Sequence, residues 1–185
     1  MSTPLELPGP WTFDDLAGVA DDGRRYEVVD GALLVRPMET VFNEEVGLRL
    51  FRQLDRQAPS GWQAVLQSGI RLGRDGRVPD VGLVRSGLPV GRRQVGRPAE
   101  HYALVVEVVS PSSRKQDRFF KPLEYAAAGV PAFWRVETEP ELYVVVHELV
   151  EGAYAVRQEV RGVEAVQVPF PLVLDVPALK PLIAP

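Results

Sequence analysis

The chain has no cysteine and only two histidines, His101 and His147. The first absence excludes disulfides, a thiol nucleophile and thiolate-bound zinc or iron–sulfur clusters. The second excludes a histidine-rich metal cage, so any metal here must be held mainly by oxygen. No apolar run approaches the ~20 residues of a membrane span. Met1-Ser2-Thr3-Pro4-Leu5-Glu6 shows neither a basic region nor an apolar signal core. The expectation is a cytoplasmic protein with no membrane partner. With 185 residues, 45% hydrophobic and 25% charged, the composition suits a single domain over 1–185 with a real core.

Net charge is −4, which argues against a nucleic-acid partner, but charge is unevenly placed. Seven arginines fall between Arg71 and Arg97 against Asp75 and Asp80, and seven glutamates fall between Glu137 and Glu164. A local field captures a polyanion better than total charge does. A solvated arginine-rich loop on an ordinary protein explains the same pattern equally well.

Local signals suggest an α/β chain with a mixed central sheet. Thr12 with Asp15 reads as the start of a helix running toward Gly23. Arg25–Val29 and Ala32–Val35 flank Asp30-Gly31, a tight hairpin closed by Pro37. A helix is expected over Glu39–Ala58, its apolar face carried by Val41, Phe42, Leu48, Phe51 and Leu54. Residues 63–72 read as one strand, Gly73–Gly76 as a turn, Val81–Val84 as a strand, and 86–100 as a loop. Tyr102–Val109 is the most apolar stretch and should lie centrally. Ser112 or Ser113 caps a helix over 114–128, stopped by Gly129. Strands follow at 132–136, 142–148, 153–158 and 165–168. The strand–helix–strand order across 102–136 predicts one parallel crossover.

Within this frame Glu107 stands out. It is a lone carboxylate in Leu104-Val105-Val106-Glu107-Val108-Val109. Burying it is costly unless a cation meets it. Asp80, in Arg77-Val78-Pro79-Asp80-Val81, is its natural companion. Two carboxylates from neighbouring strands, with the Val108 carbonyl, suit Mg²⁺ or Mn²⁺, and such sites typically serve phosphate-ester hydrolysis. Asp117, Lys121 and Tyr125 recur at four-residue spacing and share one helical face. Lys121 could offset charge building on a phosphate, or simply pair with Asp117. Arg114, Lys115 and Arg118 around it, and Arg92, Arg93 and Arg97 in the loop, are candidate backbone contacts for DNA. Simpler readings stand beside these. Asp80 after Pro79 suits a turn, and Glu107 suits a structural ion pair with Arg114 or Lys121. Asp117 suits the helix surface or a pair with Lys121, Glu27 an exposed strand, Tyr125 packing, His101 a structural or surface position and His147 the surface. Phe133 and Trp134 read as core.

The same residues resemble a known family. Pro79-Asp80, the run Glu107-Val108-Val109-Ser110-Pro111-Ser112, Asp117, Lys121 and the stretch Tyr125–Val136 are similar to the Uma2 (DUF820) proteins, as is Tyr26–Gly31. That family falls within the PD-(D/E)XK restriction-endonuclease-like superfamily. The resemblance implies a restriction-endonuclease-like αβββαβ core and a divalent-metal endonuclease acting on DNA, commonly as a homodimer. It implies Asp80 and Glu107 as metal ligands, Lys121 as the catalytic lysine and Glu27 as an extra acid. Two departures matter. Val109 stands where the superfamily pattern places its lysine, and Pro122 follows Lys121 and should disturb a helix there. A nuclease fold that binds without cutting is therefore the alternative expectation.

Overall fold

The computed structural model describes residues 10–19, 22–36 and 38–182. The elements in chain order are β1 (Arg25–Val29), β2 (Ala32–Arg36), α1 (Val41–Gln57), β3 (Trp62–Leu66), β4 (Gly69–Leu72), β5 (Asp75–Arg77), β6 (Val81–Arg85) and β7 (Gly96–Pro98). They continue with β8 (Tyr102–Val108), α2 (Lys121–Ala127), β9 (Ala132–Glu137), β10 (Tyr143–Val150), β11 (Ala153–Val160), β12 (Val163–Val166) and β13 (Leu172–Asp175). Six strands form the main sheet in the order β11-β10-β9-β8-β6-β3, five form a second sheet in the order β2-β1-β5-β4-β7, and β12 pairs with β13. In the main sheet only β8 and β9 run parallel, with α2 in the crossover between them, as the strand–helix–strand pattern requires. The architecture is the α/β fold with a mixed central sheet that the local signals suggest.

Strand β8 is central, and all seven of its residues are buried. Its alternation separates two cores. Val106 and Val108 face the α1 side with Leu50, Leu54 and Trp134. Val105 faces the α2 side with Tyr125 and Phe133. Glu107 therefore points toward α2, and the face alternation expected of it holds.

Several local expectations need correction. The buried face of α1 is Asn43, Val46, Gly47, Leu50 and Leu54, whereas Val41 is 75% exposed. The wheel is rotated because α1 turns polar Asn43 inward, toward the site. Residues 63–72 are not one strand. Gln67 takes a left-handed φ of 48°, and the chain passes from the main sheet (β3) into the second (β4). Asp75 and Gly76 belong to β5 rather than to a turn, and β7 and β13 were not anticipated. The first helix is a six-residue 3₁₀ turn, Phe13–Gly18, closed at its start by Asp15 Oδ2 accepting the Thr12 N–H at 2.7 Å. Pro37, expected to close the first hairpin, lies outside the described residues. Asp30 and Gly31 both take positive φ, 50° and 74°, as a type I′ turn demands.

Phe13 explains why β4, β5 and β7 each need a glycine. A Cβ built on Gly69, Gly76 or Gly96 would come within 2.8 Å of its ring, closest at Gly76, and at Gly69 it would also meet the Val95 carbonyl at 2.6 Å. We expect Gly76→Ala to destabilise the protein by about 1–3 kcal/mol through overpacking, read as a lower denaturant midpoint.

Candidate active site

Strand register brings the two acids together. Val81 faces Val106 across the antiparallel β6–β8 pair, so one step further sets Asp80 opposite Glu107. Asp80 is fastened there: its Oδ2 accepts the Val108 N–H at 2.8 Å, and its Oδ1 meets Arg25 Nη1 at 3.0 Å. Glu107 is fully buried. Lys121 Nζ donates to its Oε2 and the Tyr125 hydroxyl to its Oε1, both at 2.7 Å. Neither Arg114 nor solvent meets Glu107; the lysine of the following helix does.

Pro122 does not misdirect that lysine. Residues Gln116–Phe120 form a π-helical turn, in which the Lys121 N–H bonds the Gln116 carbonyl, and α2 then begins with Pro122 in its first turn. The wider turn relieves the clash between a proline ring and the preceding carbonyls, and the missing N–H costs least at a helix start. Asp117, Lys121 and Tyr125 all reach the interior with no measurable exposure. The reading of Asp117 as a surface acid is thus corrected. It pairs with Lys121 Nζ through Oδ1 at 2.7 Å, while its Oδ2 has no hydrogen-bond donor among the described residues.

Glu27 is likewise buried rather than exposed. Arg77 Nη1 and the Val78 N–H both reach it at 3.0 Å, and Arg36 Nη1 lies at 3.4 Å. Arg77 also grips Glu124 through two bonds of 2.7 and 2.6 Å. Arg36 Nη2 meets Glu39 Oε1 at 3.4 Å, and Asn43 Nδ2 meets Glu39 Oε2 at 3.3 Å. A cavity of about 20 Å³ lies beside Asp80, lined among others by Arg25, Glu39, Asn43, Gly47 and Val108. It has room for one water-sized occupant.

Electrostatics follow from this packing. Burial pushes Glu107 up to about 8, with Asp117 and Asp80 adding to the shift and Lys121 and Arg36 opposing it. Burial works against the charge on Lys121, but Glu107, Asp117 and Glu27 outweigh it and raise its pKa, so the ammonium stays charged. Glu27 is lowered: burial raises it, and Lys121, Arg36, the Val78 N–H and Arg77 together prevail. The Tyr125 phenol is raised by burial and by Glu107, so it donates.

Among the described residues no three Asp, Glu or His side chains stand ready as a metal cage. The charge balance nevertheless favours a divalent cation. With every acid ionised, Glu27, Glu39, Asp80, Glu107, Asp117 and Glu124 face Arg25, Arg36, Arg77 and Lys121, which among the described residues leaves an excess of two negative charges; the proton that Glu107 holds below about 8 removes one of them. Oxygen donors with an excess of two charges fit a hard divalent ion.

The expected DNA-contacting arginines are dispersed. Arg118 makes bonds of 3.0 and 2.7 Å to the buried Glu137, and Arg114 meets Glu139 at 3.2 Å. Arg92 and Arg93 are exposed in their loop. The run from Arg71 to Arg97 is not a continuous basic face, because Arg77 is buried, Arg71 pairs with Asp14 and Arg97 bonds Ser68. His147 is buried, its Nδ1 at 3.1 Å from the Phe133 carbonyl, not on the surface. Phe133 and Trp134 are core, as read.

Known proteins share the restriction-endonuclease-like α/β fold. The Uma2 family, described as "Putative restriction endonuclease", matches residues 11–177. The chain belongs to the Uma2 family. Among solved structures, a DUF820 protein from Anabaena variabilis ATCC 29413, titled a putative nuclease, superposes with a TM-score of 0.71 at 18% identity. That match covers 92% of this chain and 97% of the other. No curated protein matches the chain. The Uma2 match spans every acid and cation described above. Sequence reasoning missed Arg25, Arg36 and Glu39 in this setting. The hairpin register set by Asp30-Gly31 was the available signal: it pairs Arg25 with Arg36 and puts both on the face of Glu27.

Proposed function

We propose that this Uma2 protein is a divalent-metal-dependent endonuclease that hydrolyses DNA phosphodiester bonds, working as a homodimer. The observation that carries the reading is the buried Lys121 ammonium, 2.7 Å from Glu107 and 2.7 Å from Asp117, beside an Asp80 held on the neighbouring strand. Asp80 and Glu107, with the Val108 carbonyl, would hold Mg²⁺ or Mn²⁺. Such an ion, when bound, supplies Lewis acidity and neutralises charge on the phosphate. The protein supplies the rest. Lys121 presents a fixed positive charge where negative charge grows on the phosphorus oxygens, and it does so in a dry site where the interaction is strong. Tyr125 donates to Glu107 and orients it. Glu27, already filled by Arg77, Val78 and Arg36, supports the site by anchoring cations rather than by offering free oxygens. Arg92 and Arg93, exposed, are left to meet the DNA backbone; Arg114 and Arg118 would first have to leave Glu139 and Glu137.

One observation favours a second reading. Both oxygens of Glu107 and both of Asp80 already have internal partners. A protein keeping that state would bind without cutting. Nicking of supercoiled plasmid in Mn²⁺ separates the two. We expect wild type to nick, and Asp80→Asn to lose at least about a hundredfold in rate while folding normally. Undiminished nicking by Asp80→Asn sinks the endonuclease mechanism. A wild type that binds plasmid and never nicks it supports the second reading.

A further inference from the structure

Arg25 and Arg36 are directly opposite each other on the β1–β2 hairpin. Like charges in that position repel, and here both side chains also leave water: Arg25 keeps 18% of its side-chain surface exposed and Arg36 8%. Such a pair needs a reason. The acids beside it supply only part of one. Asp80 has a second donor in the Val108 N–H, and Glu27 has Arg77 and Val78. The contacts of Arg36 to Glu27 and Glu39 are both 3.4 Å, at the loose end for a charged hydrogen bond. A guanidinium carries five N–H donors. Arg25 spends one of them on Asp80, and Arg36 spends two on Glu27 and Glu39. Two under-used planar forks stand side by side, on the face that points at the acid cluster, and Arg25 lines the cavity next to Asp80.

We propose that Arg25 and Arg36 form a two-guanidinium clamp for the phosphodiester, a site that deepens the endonuclease reading above and rests on it. Paired guanidiniums match the non-bridging oxygens of a phosphate in geometry and charge. Arg25 has a second consequence. By holding Asp80 Oδ1 at 3.0 Å it covers an oxygen that a divalent ion would use. Asp80 engaged with a divalent ion would release the Arg25 fork toward the phosphate, so the binding of ion and phosphate would be coupled.

The clamp predicts effects of opposite sign, which a merely structural pair of arginines would not give. The test uses Arg25→Gln and Arg36→Gln in the full chain. Mn²⁺ uptake is measured by calorimetry, and binding of a short fluorescein-labelled DNA duplex is measured in Ca²⁺ across a salt series. Each variant should bind the duplex about tenfold more weakly, with the slope of log affinity against log salt smaller by about one. Arg25→Gln should take up Mn²⁺ at least as tightly as wild type. Duplex affinity and salt slope equal to wild type overturn the clamp, and so does weakened Mn²⁺ uptake by Arg25→Gln. If the glutamine variants do not fold, Arg25→Lys and Arg36→Lys keep the charge and lose the fork. They should weaken duplex binding several-fold at an unchanged slope, and unaltered affinity overturns the clamp. A wild type that takes up no Mn²⁺ and binds no duplex removes the endonuclease reading itself. A wild type that does both, matched by its variants, removes only the clamp.

Discussion

Lys121→Met should be the most damaging single change in this protein. It removes the one ammonium that touches both Glu107 and Asp117, each fully buried. Breaking a buried ion pair from one side leaves an uncompensated charge and costs about 3–5 kcal/mol. Against a typical total stability of about 5–15 kcal/mol, that is a large share, and the melting temperature should drop by about 10 °C. Nicking should fall by at least about a hundredfold. Two controls separate these effects. Added Mn²⁺ should return part of the lost stability by replacing the missing charge. The double variant Lys121→Met/Asp117→Asn should melt higher than Lys121→Met alone, because the orphaned acid is gone. Lys121→Met melting like wild type would mean that the buried triad of Glu107, Lys121 and Asp117 is not what the packing describes.

The metal-free protein should lose stability as pH rises from about 4.5 to about 8. Burial lifts the pKa of Glu107 from its unfolded value of 4.5 to about 8, so between those limits the folded state holds a proton that the unfolded chain has released. Stability tied to that proton is complete below the unfolded value and is lost on the way up to the folded one. The slope approaches about 1.4 kcal/mol per pH unit for one proton. Glu27 acts with the opposite sign. Its pKa is lowered in the fold, so its contribution is present above 4.5 and disappears as pH falls below that. Denaturant melts in a chelator, taken across this range, should show the Glu107 slope, and Glu107→Gln should flatten it. Mn²⁺ uptake must expel the same proton, so apparent affinity should climb with pH and level off above about 8, with about one proton released per ion. A flat stability profile in the wild type, or uptake independent of pH, refutes the account of Glu107.

Much of this site was legible in advance, for particular reasons. Glu107 was visible because a charge in a β-branched run contradicts its surroundings. Lys121 and Tyr125 were visible through their four-residue spacing from Asp117. The Asp30-Gly31 turn announced its hairpin through residues that tolerate positive φ. Other features were legible only in hindsight. The buried face of α1 was misread because it includes Asn43 and Gly47, which no apolar count would select. The arginines of 71–97 looked like one patch, but they scatter to Asp14, Glu27, Glu124 and Ser68 once the strands separate into two sheets.

The sequence alone determined the secondary-structure periods, the central strand, and which residues share a face with Glu107. These are local properties, set by side-chain alternation and turn chemistry within a few residues. Tertiary structure decided which faces meet. Only the packing of the π turn and α2 against β8 buries Asp117 and Lys121 beside Glu107, and only the β1–β2 hairpin folding over β6 and β8 sets Arg25 beside Asp80. Arg25 and Asp80 come together across a gap of 55 residues, and the excess of negative charge arises from such meetings rather than from any stretch of chain.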